Sequence, residues 1–216
     1  MDAARIAELL TPFIGADGLS SHQLDQVSAY LDRLMRWNAR MNLTSVRDAE
    51  QIITRHFGES FFAAKQLLGR EEPSPKSATD IGSGAGFPGL PIKIFAPGLR
   101  MRLVESQHRK ATFLREVIRD LELEDCEVAA GRAESLAERE PGSADLVTLR
   151  AVEHFRDVLP IAAQLTSNTG SIGLLIGREQ ASTATTTLPN FEWNNQVQVP
   201  LSLSRVILIG RKREST

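Results

Sequence analysis

The run Asp80-Ile81-Gly82-Ser83-Gly84-Ala85-Gly86-Phe87-Pro88-Gly89 is the part of the chain best suited to hold a small molecule. Glycines let a backbone turn tightly and approach a ligand with no Cβ in the way. Pro88 suits a first helical turn, where its missing N–H costs nothing. Gly84, Gly86 and Gly89 also spell G-x-G-x-x-G, the pattern in which a helix N-terminus receives a pyrophosphate. That pattern alone leaves a dinucleotide open. Asp80, just ahead of the glycines, weighs the other way. A carboxylate repels a pyrophosphate but suits the cationic methionyl amine of S-adenosylmethionine.

Three further sites fall at expected strand ends, where open α/β sheets bind their ligands. Glu105 closes the second strand and could accept both hydroxyls of a ribose, which supports a nucleoside cofactor without separating a methyl donor from a dinucleotide. Gly131-Arg132-Ala133-Glu134 follows the third strand, where backbone N–H groups and the Glu134 side chain could meet an adenine edge. An acid in a first helical turn is also favoured by the helix dipole alone. Arg150 follows the fourth strand, and a guanidinium there could clamp a carboxylate or phosphate bidentately.

Around these sites the bulk properties are ordinary. The chain has 216 residues, 42% hydrophobic and 24% charged, with a formal net charge of −2. No bulk basic footprint for nucleic acid is present, so such a partner would have to meet a local patch. One cysteine, Cys126, excludes an internal disulfide framework. The histidines, His22, His56, His108 and His154, are too scattered for a zinc site built from local ligand pairs, and no metal is expected. The N-terminal segment lacks the basic start and apolar core of a secretory signal. No apolar run approaches the ~20 residues that span a bilayer. A cytoplasmic, monomeric protein with no membrane partner is the expectation.

The elements that must position these residues fall into two textures. Residues 1–72 read as a helical subdomain. Ile6, Leu9, Leu10 and Phe13 recur at helical spacing, as do Leu24, Val27, Leu31 and Leu34. Ser20 or Ser21 could cap the second helix, and Asp48 a third that carries Ile52, Ile53, Phe57, Phe61 and Phe62. The Pro73 and Pro75 stretch then breaks the pattern, and residues 73–216 form a second unit. There, apolar runs at 78–81, 101–105, 126–129, 146–149 and 172–176 alternate with helical patterns at 89–95, 108–121, 133–139 and 154–165. Alternation of this kind predicts an α/β fold with a doubly wound, mostly parallel sheet. Runs at 196–199 and 205–209 are too close for a helical crossover and should pair as an antiparallel hairpin. The Ser182 to Thr187 cluster reads as a loop or a helix end.

Taken together, the motifs make the chain similar to a known family. Trp37-Asn38 with Asn42-Leu43-Thr44-Ser45-Val46-Arg47-Asp48, Arg55-His56, the Asp80 to Pro91 run, Val104-Glu105-Ser106, Arg109-Lys110, Phe113-Leu114, Gly131 to Glu134 and Leu149-Arg150-Ala151 occur in family order. The chain resembles the glucose-inhibited division protein B family, bacterial methyltransferases of small-subunit ribosomal RNA. The resemblance implies a Rossmann-like class I methyltransferase domain, S-adenosyl-L-methionine as cofactor and 16S rRNA or the small ribosomal subunit as partner. It also implies methylation of a guanine N7. Carried over by position, donor contacts fall on Gly82, Phe87, Ala133, Glu134 and Arg150, with Gly84 in the loop, Glu105 as the strand-two acid and Arg205 as a basic residue near the C-terminus. Where relatives often have lysine before glycine on the fifth strand, this chain has Ile176-Gly177, so Arg178 would have to substitute.

Guanine N7 has a free lone pair on the major-groove edge and needs no deprotonation. No catalytic base is therefore assigned. Candidate RNA contacts are Arg36, Arg40, Arg47, Arg55, Lys110, Arg132, Arg178, Arg205, Arg211, Lys212 and Arg213. Asn38, Asn42 and His56 could equally fix the N-terminal helices to the sheet. A small-molecule or protein methyltransferase, or a nucleotide-binding module, stays open beside the RNA reading.

Overall fold

Capping decides where the N-terminal helices begin. The computed structural model describes residues 1–15, 18–69 and 74–213. Helix α1 (Ala3–Ile14) starts where the Asp2 side chain accepts from the Arg5 N–H. Helix α2 (Ser21–Met41) starts at Ser20, which forms a reciprocal capping box with Gln23. Asp48 caps α3 (Ala49–Ile52), which runs through a π-helical turn (Ile53–Gly58) into α4 (Glu59–Leu68). The third expected helix is thus one continuous rod with a wide turn in its middle. The widened turn carries His56 and leads directly into Glu59. The expected boundary between residues 72 and 73 lies outside the described residues.

Beyond it the alternation holds: β1 (Ser77–Ile81), α5 (Gly89–Phe95), β2 (Arg100–Glu105), α6 (His108–Asp120), β3 (Cys126–Ala130), α7 (Ala133–Arg139), β4 (Ala144–Arg150), α8 (Phe155–Leu165) and β5 (Thr166–Gly177). A 3-10 turn (Arg178–Gln180) and α9 (Ala181–Thr187) follow, so the Ser/Thr cluster is helical. The chain then adds β6 (Phe191–Trp193), β7 (Val197–Gln198) and β8 (Arg205–Lys212). The short β6 gave no periodic signal, since three residues cannot display an alternation.

Strand order is β3-β2-β1-β4-β5-β8-β6, with β7 also on β8. The first five strands are parallel, and β8 enters antiparallel between β5 and the short β6 and β7. The expected antiparallel pairing of the last two runs is present, and β8 also carries the sheet beyond β5. The order reverses between β1 and β4, which opens a crevice at their carboxyl ends.

Both faces are covered. Helices α1, α2 and α4 and the glycine-loop side of the sheet share one apolar cluster that includes Leu10, Tyr30, Leu34, Phe57, Phe61, Phe87, Leu103, Phe113, Leu146 and Ile207. The other face packs Leu136, Val147, Leu159, Leu174, Ala184 and Leu208 against α7, α8 and α9. Each group buries side chains of the kind that contribute about 2 kcal/mol apiece. Among the described residues, no helix is long and apolar enough to cross a membrane.

Candidate functional site

The glycine loop is held by the strand beside it. As β1 ends, the N–H groups of Gly82 and Ser83 donate to the Val104 carbonyl of β2, at 3.0 and 3.1 Å. Gly84 N–H donates to Glu105 Oε2 at 2.9 Å, and Gln107 N–H donates to Glu105 Oε1 at 2.7 Å. The strand-two acid is therefore buried and already occupied on both oxygens by backbone donors. Its own carbonyl accepts from Gly131 N–H at 3.0 Å, which ties the start of the Ala133–Glu134 segment to the same strand end.

Backbone conformation explains which glycines are needed. Gly82, Gly84 and Gly86 have φ of +69°, +56° and +92°, a region that favours glycine. A Cβ on Gly86 would run into the Tyr30 hydroxyl and Leu90. A Cβ on Gly84 would meet only the Gly82 carbonyl at 3.7 Å, and one on Gly131 would meet nothing within 4 Å. Those two face open space, as a cradle for a ligand should.

The loop is also braced from below and behind. Asp80 faces Thr148 across the β1–β4 register, and Thr148 Oγ1 donates to Asp80 Oδ1 at 2.7 Å. Asp80 is buried, and its Oδ2 accepts no hydrogen bond of ordinary length and angle. Burial raises its pKa to about 6, against the pull of Thr148 and Ser83. The acid expected to face a ligand's amine thus lies under the loop, outside the cavity wall. Behind the loop, α2 contributes Tyr30, whose hydroxyl donates to the Ala85 carbonyl. The Tyr30 ring stacks on Phe87 with centroids 5.4 Å apart.

In front of the loop is a cavity of about 600 Å³. Gly82, Gly84, Phe87 and Arg150 line it together, with Thr44, His56, Glu59, Lys110 and Arg205. Glu105 reaches it only through Gly84, while Ala133 and Glu134 stand outside its wall at the end of β3. A second cavity, of about 420 Å³, opens at the amino ends of β1 to β3 and holds none of the candidate site residues.

The far wall is a charged network. Glu59 Oε2 lies 3.0 Å from Arg150 Nη2 and 2.6 Å from Arg205 Nη1, so one buried carboxylate bridges two guanidiniums. Arg150 Nη2 also donates to the Arg55 carbonyl at 2.7 Å and lies 3.1 Å from His56 Nδ1. An arginine can only donate, so Nδ1 accepts and Nε2 carries the proton that faces Thr44 Oγ1 at 2.7 Å. Burial and the neighbouring arginines push the His56 pKa down to about 3, which keeps the imidazole neutral. The Arg150 guanidinium sits 5.8 Å from the Phe87 ring centroid, a cation–π distance.

Glu59 was not singled out from the sequence. Its signal was an acid three residues after His56 inside the apolar run from Phe57 to Phe62, a place where a carboxylate survives only if paired. The other N-terminal polar residues are structural ties. Asn38 accepts from Thr44 N–H at 2.9 Å, Arg47 donates to the Asn38 carbonyl at 2.9 Å and to Asn42, and Trp37 Nε1 donates to Glu116 at 3.1 Å. Of the candidate RNA contacts, Arg55, Lys110 and Arg205 meet at the cavity. Arg36 and Arg40 line a separate hollow on α2. Arg178 is bonded to Gln198, and Lys212 Nζ to the Thr166 carbonyl at 3.1 Å. Ile176, the position at which the resemblance implied a lysine, is buried. Among the described residues, no cluster of three or more His, Cys, Asp or Glu could hold a metal.

Comparison with known proteins agrees with this architecture. Two solved methyltransferases share the fold at low identity. Precorrin-6y C5,15-methyltransferase from Geobacter metallireducens has a TM-score of 0.55 and 12% identity, covering 72% of this chain and 87% of that one. Ribosomal protein L11 methylase from Lactobacillus delbrueckii subsp. bulgaricus has a TM-score of 0.57 and 16% identity, covering 73% and 77%. Closer in sequence is ribosomal RNA small subunit methyltransferase G of Chloroflexus aggregans, 45% identical over 151 residues, 68% of this chain and 61% of that protein. The protein of the same name from Xanthomonas axonopodis pv. citri is 38% identical over 160 residues, 72% of each. The alignment with the Chloroflexus protein, and that with the Roseiflexus sp. one at 56%, spans less than two thirds of the relative's length. Residues 23–204 match the family described as GidB, rRNA small subunit methyltransferase G, and the chain belongs to that family.

Proposed function

We propose that this chain transfers a methyl group from S-adenosylmethionine to N7 of a guanine in small-subunit ribosomal RNA, as a cytoplasmic enzyme. The single observation that carries this reading is the cavity itself. A glycine loop bonded to a strand-two acid forms one wall and an arginine network the other, in a chain whose residues 23–204 match this family.

The residues fit such a donor. Gly84 and Gly131 leave room where side chains would otherwise stand. Glu105 would exchange a backbone partner for the ribose hydroxyls, while Ala133 and Glu134 lie beside it for the adenine. Phe87 and Arg150 wall the other side. Bound there, the cofactor supplies an electrophilic methyl on a sulfonium. The protein has no proton to remove from N7, so its work is to hold the acceptor in line and to exclude water. The neutral His56 is committed to Thr44 and Arg150 and has no free proton-accepting nitrogen. Methylation leaves a positive charge on the base, and Glu59, already shared by Arg150 and Arg205, is committed to those two guanidiniums.

The test is transfer of labelled methyl from purified protein to small-subunit RNA from a strain lacking it. N7-methylguanosine after digestion is the expected product. Absence of transfer to naked RNA and to assembled subunits alike rejects the reading. Calorimetry adds a second arm: S-adenosylhomocysteine should bind and NAD should not.

A further inference from the structure

The turn that joins β7 to β8 carries an apolar pair with no packing role. Among the described residues the exposed large hydrophobics are Met35, Leu201 and Leu203. Two of them fall in this one turn, at 77% and 98% exposure. Single exposed leucines are common on protein surfaces and need no explanation. This pair differs in how firmly its backbone is held.

Ser202 N–H donates to the Val199 carbonyl at 3.3 Å, and Arg205 N–H to Ser202 Oγ at 3.1 Å. Gln198 Nε2 donates to the carbonyls of Ser202 and Arg205 at 2.6 and 3.0 Å. Arg178 N–H donates to the Ser204 carbonyl at 2.8 Å. Leu201 itself has φ +59°, a conformation in which an L side chain crowds its own carbonyl. A glycine or asparagine would sit there more easily. The turn therefore keeps leucine at a cost, in a braced frame, with the side chain in solvent.

Its position supplies the reason. Val199, Ser204 and Arg205, the feet of the turn, are part of the cavity wall, which also carries Arg55, Lys110 and Arg150. An apolar tip beside a cationic cleft suits a nucleic acid whose phosphates meet the cations and whose base faces meet the leucines. Two leucines flanked by Ser202 and Ser204 are too small to be the core of a protein interface, which needs about 800 Å² per partner. They are large enough to fill one gap between stacked bases.

We propose that Leu201 and Leu203 form an apolar wedge that enters the RNA beside the target guanine and keeps it unstacked while it occupies the cavity. This rests on the RNA methyltransferase reading above. A guanine within a stack must be presented before its N7 can be aligned, and the residues of the cavity wall include no unpaired aromatic ring for that task, since Phe87 is already sandwiched by Tyr30 and Arg150.

The experiment compares the full-length wild-type chain, the Leu201→Ser/Leu203→Ser double variant and a Leu201→Phe/Leu203→Phe variant on unmethylated small-subunit RNA. The serine variant should lose about thirtyfold in kcat/KM for RNA, the scale of one lost base contact. Its melting temperature and S-adenosylhomocysteine affinity should stay at wild-type values, and the phenylalanine variant should recover most of the rate. A photo-crosslinking residue at position 203 should capture RNA from the assembled subunit. Unchanged kinetics in the serine variant overturn the wedge, as does a loss that tracks with melting or cofactor affinity, or a crosslink to a ribosomal protein in place of RNA. A wild-type chain that methylates no RNA overturns the underlying function and the wedge together. An active wild type with an equally active serine variant removes the wedge alone.

Discussion

The two walls of the cleft are built from different material. On the β1–β2 side, main-chain N–H groups do the bonding: Gly82, Ser83, Gly84 and Gln107 all donate to the end of β2. On the β4–β8 side, side chains do it: Arg150, Arg205, His56 and Thr44 meet around Glu59 from four separate stretches of sequence. Each wall has one buried acid at its centre. Glu105 holds neutral amides and Glu59 holds two cations. A wall of backbone fixes shape and depends on glycine. A wall of paired charges fixes the helices to the sheet and depends on every partner being present.

The sharpest break of that comparison is Gly82→Ala. A Cβ at φ +69°, 3.1 Å from Val152 Cγ1, should displace the loop and obstruct the donor. We expect S-adenosylhomocysteine affinity to drop at least about 100-fold, roughly 3 kcal/mol. Stability should drop by only about 1 kcal/mol. Calorimetry and urea unfolding check the two halves of the claim, and full affinity in the variant would undo the placement of the loop.

Glu59→Gln should do the reverse. It leaves two guanidiniums facing a neutral amide in a buried site, at a cost of about 3 kcal/mol in unfolding free energy. Cofactor affinity should move less than about tenfold, or 1.4 kcal/mol. If this variant lost donor binding as fully as Gly82→Ala, the two walls would be one unit.

A pH series separates His56 from Asp80, two buried groups whose pKa values are shifted in opposite directions. His56 has a depressed pKa of about 3, so the unfolded chain binds its proton first. That contribution is complete above pH 6.5 and is lost as pH falls towards 3. Asp80 has a raised pKa of about 6, so its effect has the opposite sign: stability rises as pH falls through 6 towards 3.8. Between pH 6.5 and 5 the histidine removes about 2 kcal/mol and the aspartate returns about 1. His56→Gln should therefore lose less stability on acidification than wild type, and Asp80→Asn should lose more. Urea unfolding of all three proteins at both pH values decides it, and parallel slopes would reject the assignment.

The smallest effect is expected from Thr44→Val. It removes the one hydroxyl oxygen that both faces His56 Nε2 and accepts from Val46 N–H at 3.1 Å. About 1 kcal/mol of stability should go, with cofactor affinity unchanged. A larger loss of affinity than of stability would move Thr44 into the binding machinery.

The same division governs what could be read from the sequence. The backbone wall is local, so its glycines, Pro88 and the strand-end acid at Glu105 stand in short contiguous motifs with recognisable periods around them. The strand–helix alternation, the antiparallel pairing of β7 with β8 and the caps at Ser20 (or its neighbour Ser21) and Asp48 were legible for the same reason, whereas the strand order and the pairing of β8 with β5 came from the structure. The side-chain wall is assembled from positions 44, 56, 59, 150 and 205, and nothing in a linear pattern announces that Glu59 bridges two arginines. Asp80 shows the converse limit. Its position before the glycines suggested a ligand contact, but the β1–β4 register turns it under the loop onto Thr148. A three-residue strand such as β6 lies below the length at which alternation can be detected.

Tyr30 extends the point to how the chain can be divided. Its ring backs Phe87 and its hydroxyl holds the Ala85 carbonyl, so the inner lining of the ligand loop is supplied by a helix more than fifty positions upstream. A fragment starting at the first strand would keep every glycine of the loop yet lose that lining and leave the Phe87 face open to water. Trading the leading helices between relatives would succeed only if the aromatic pair travelled together.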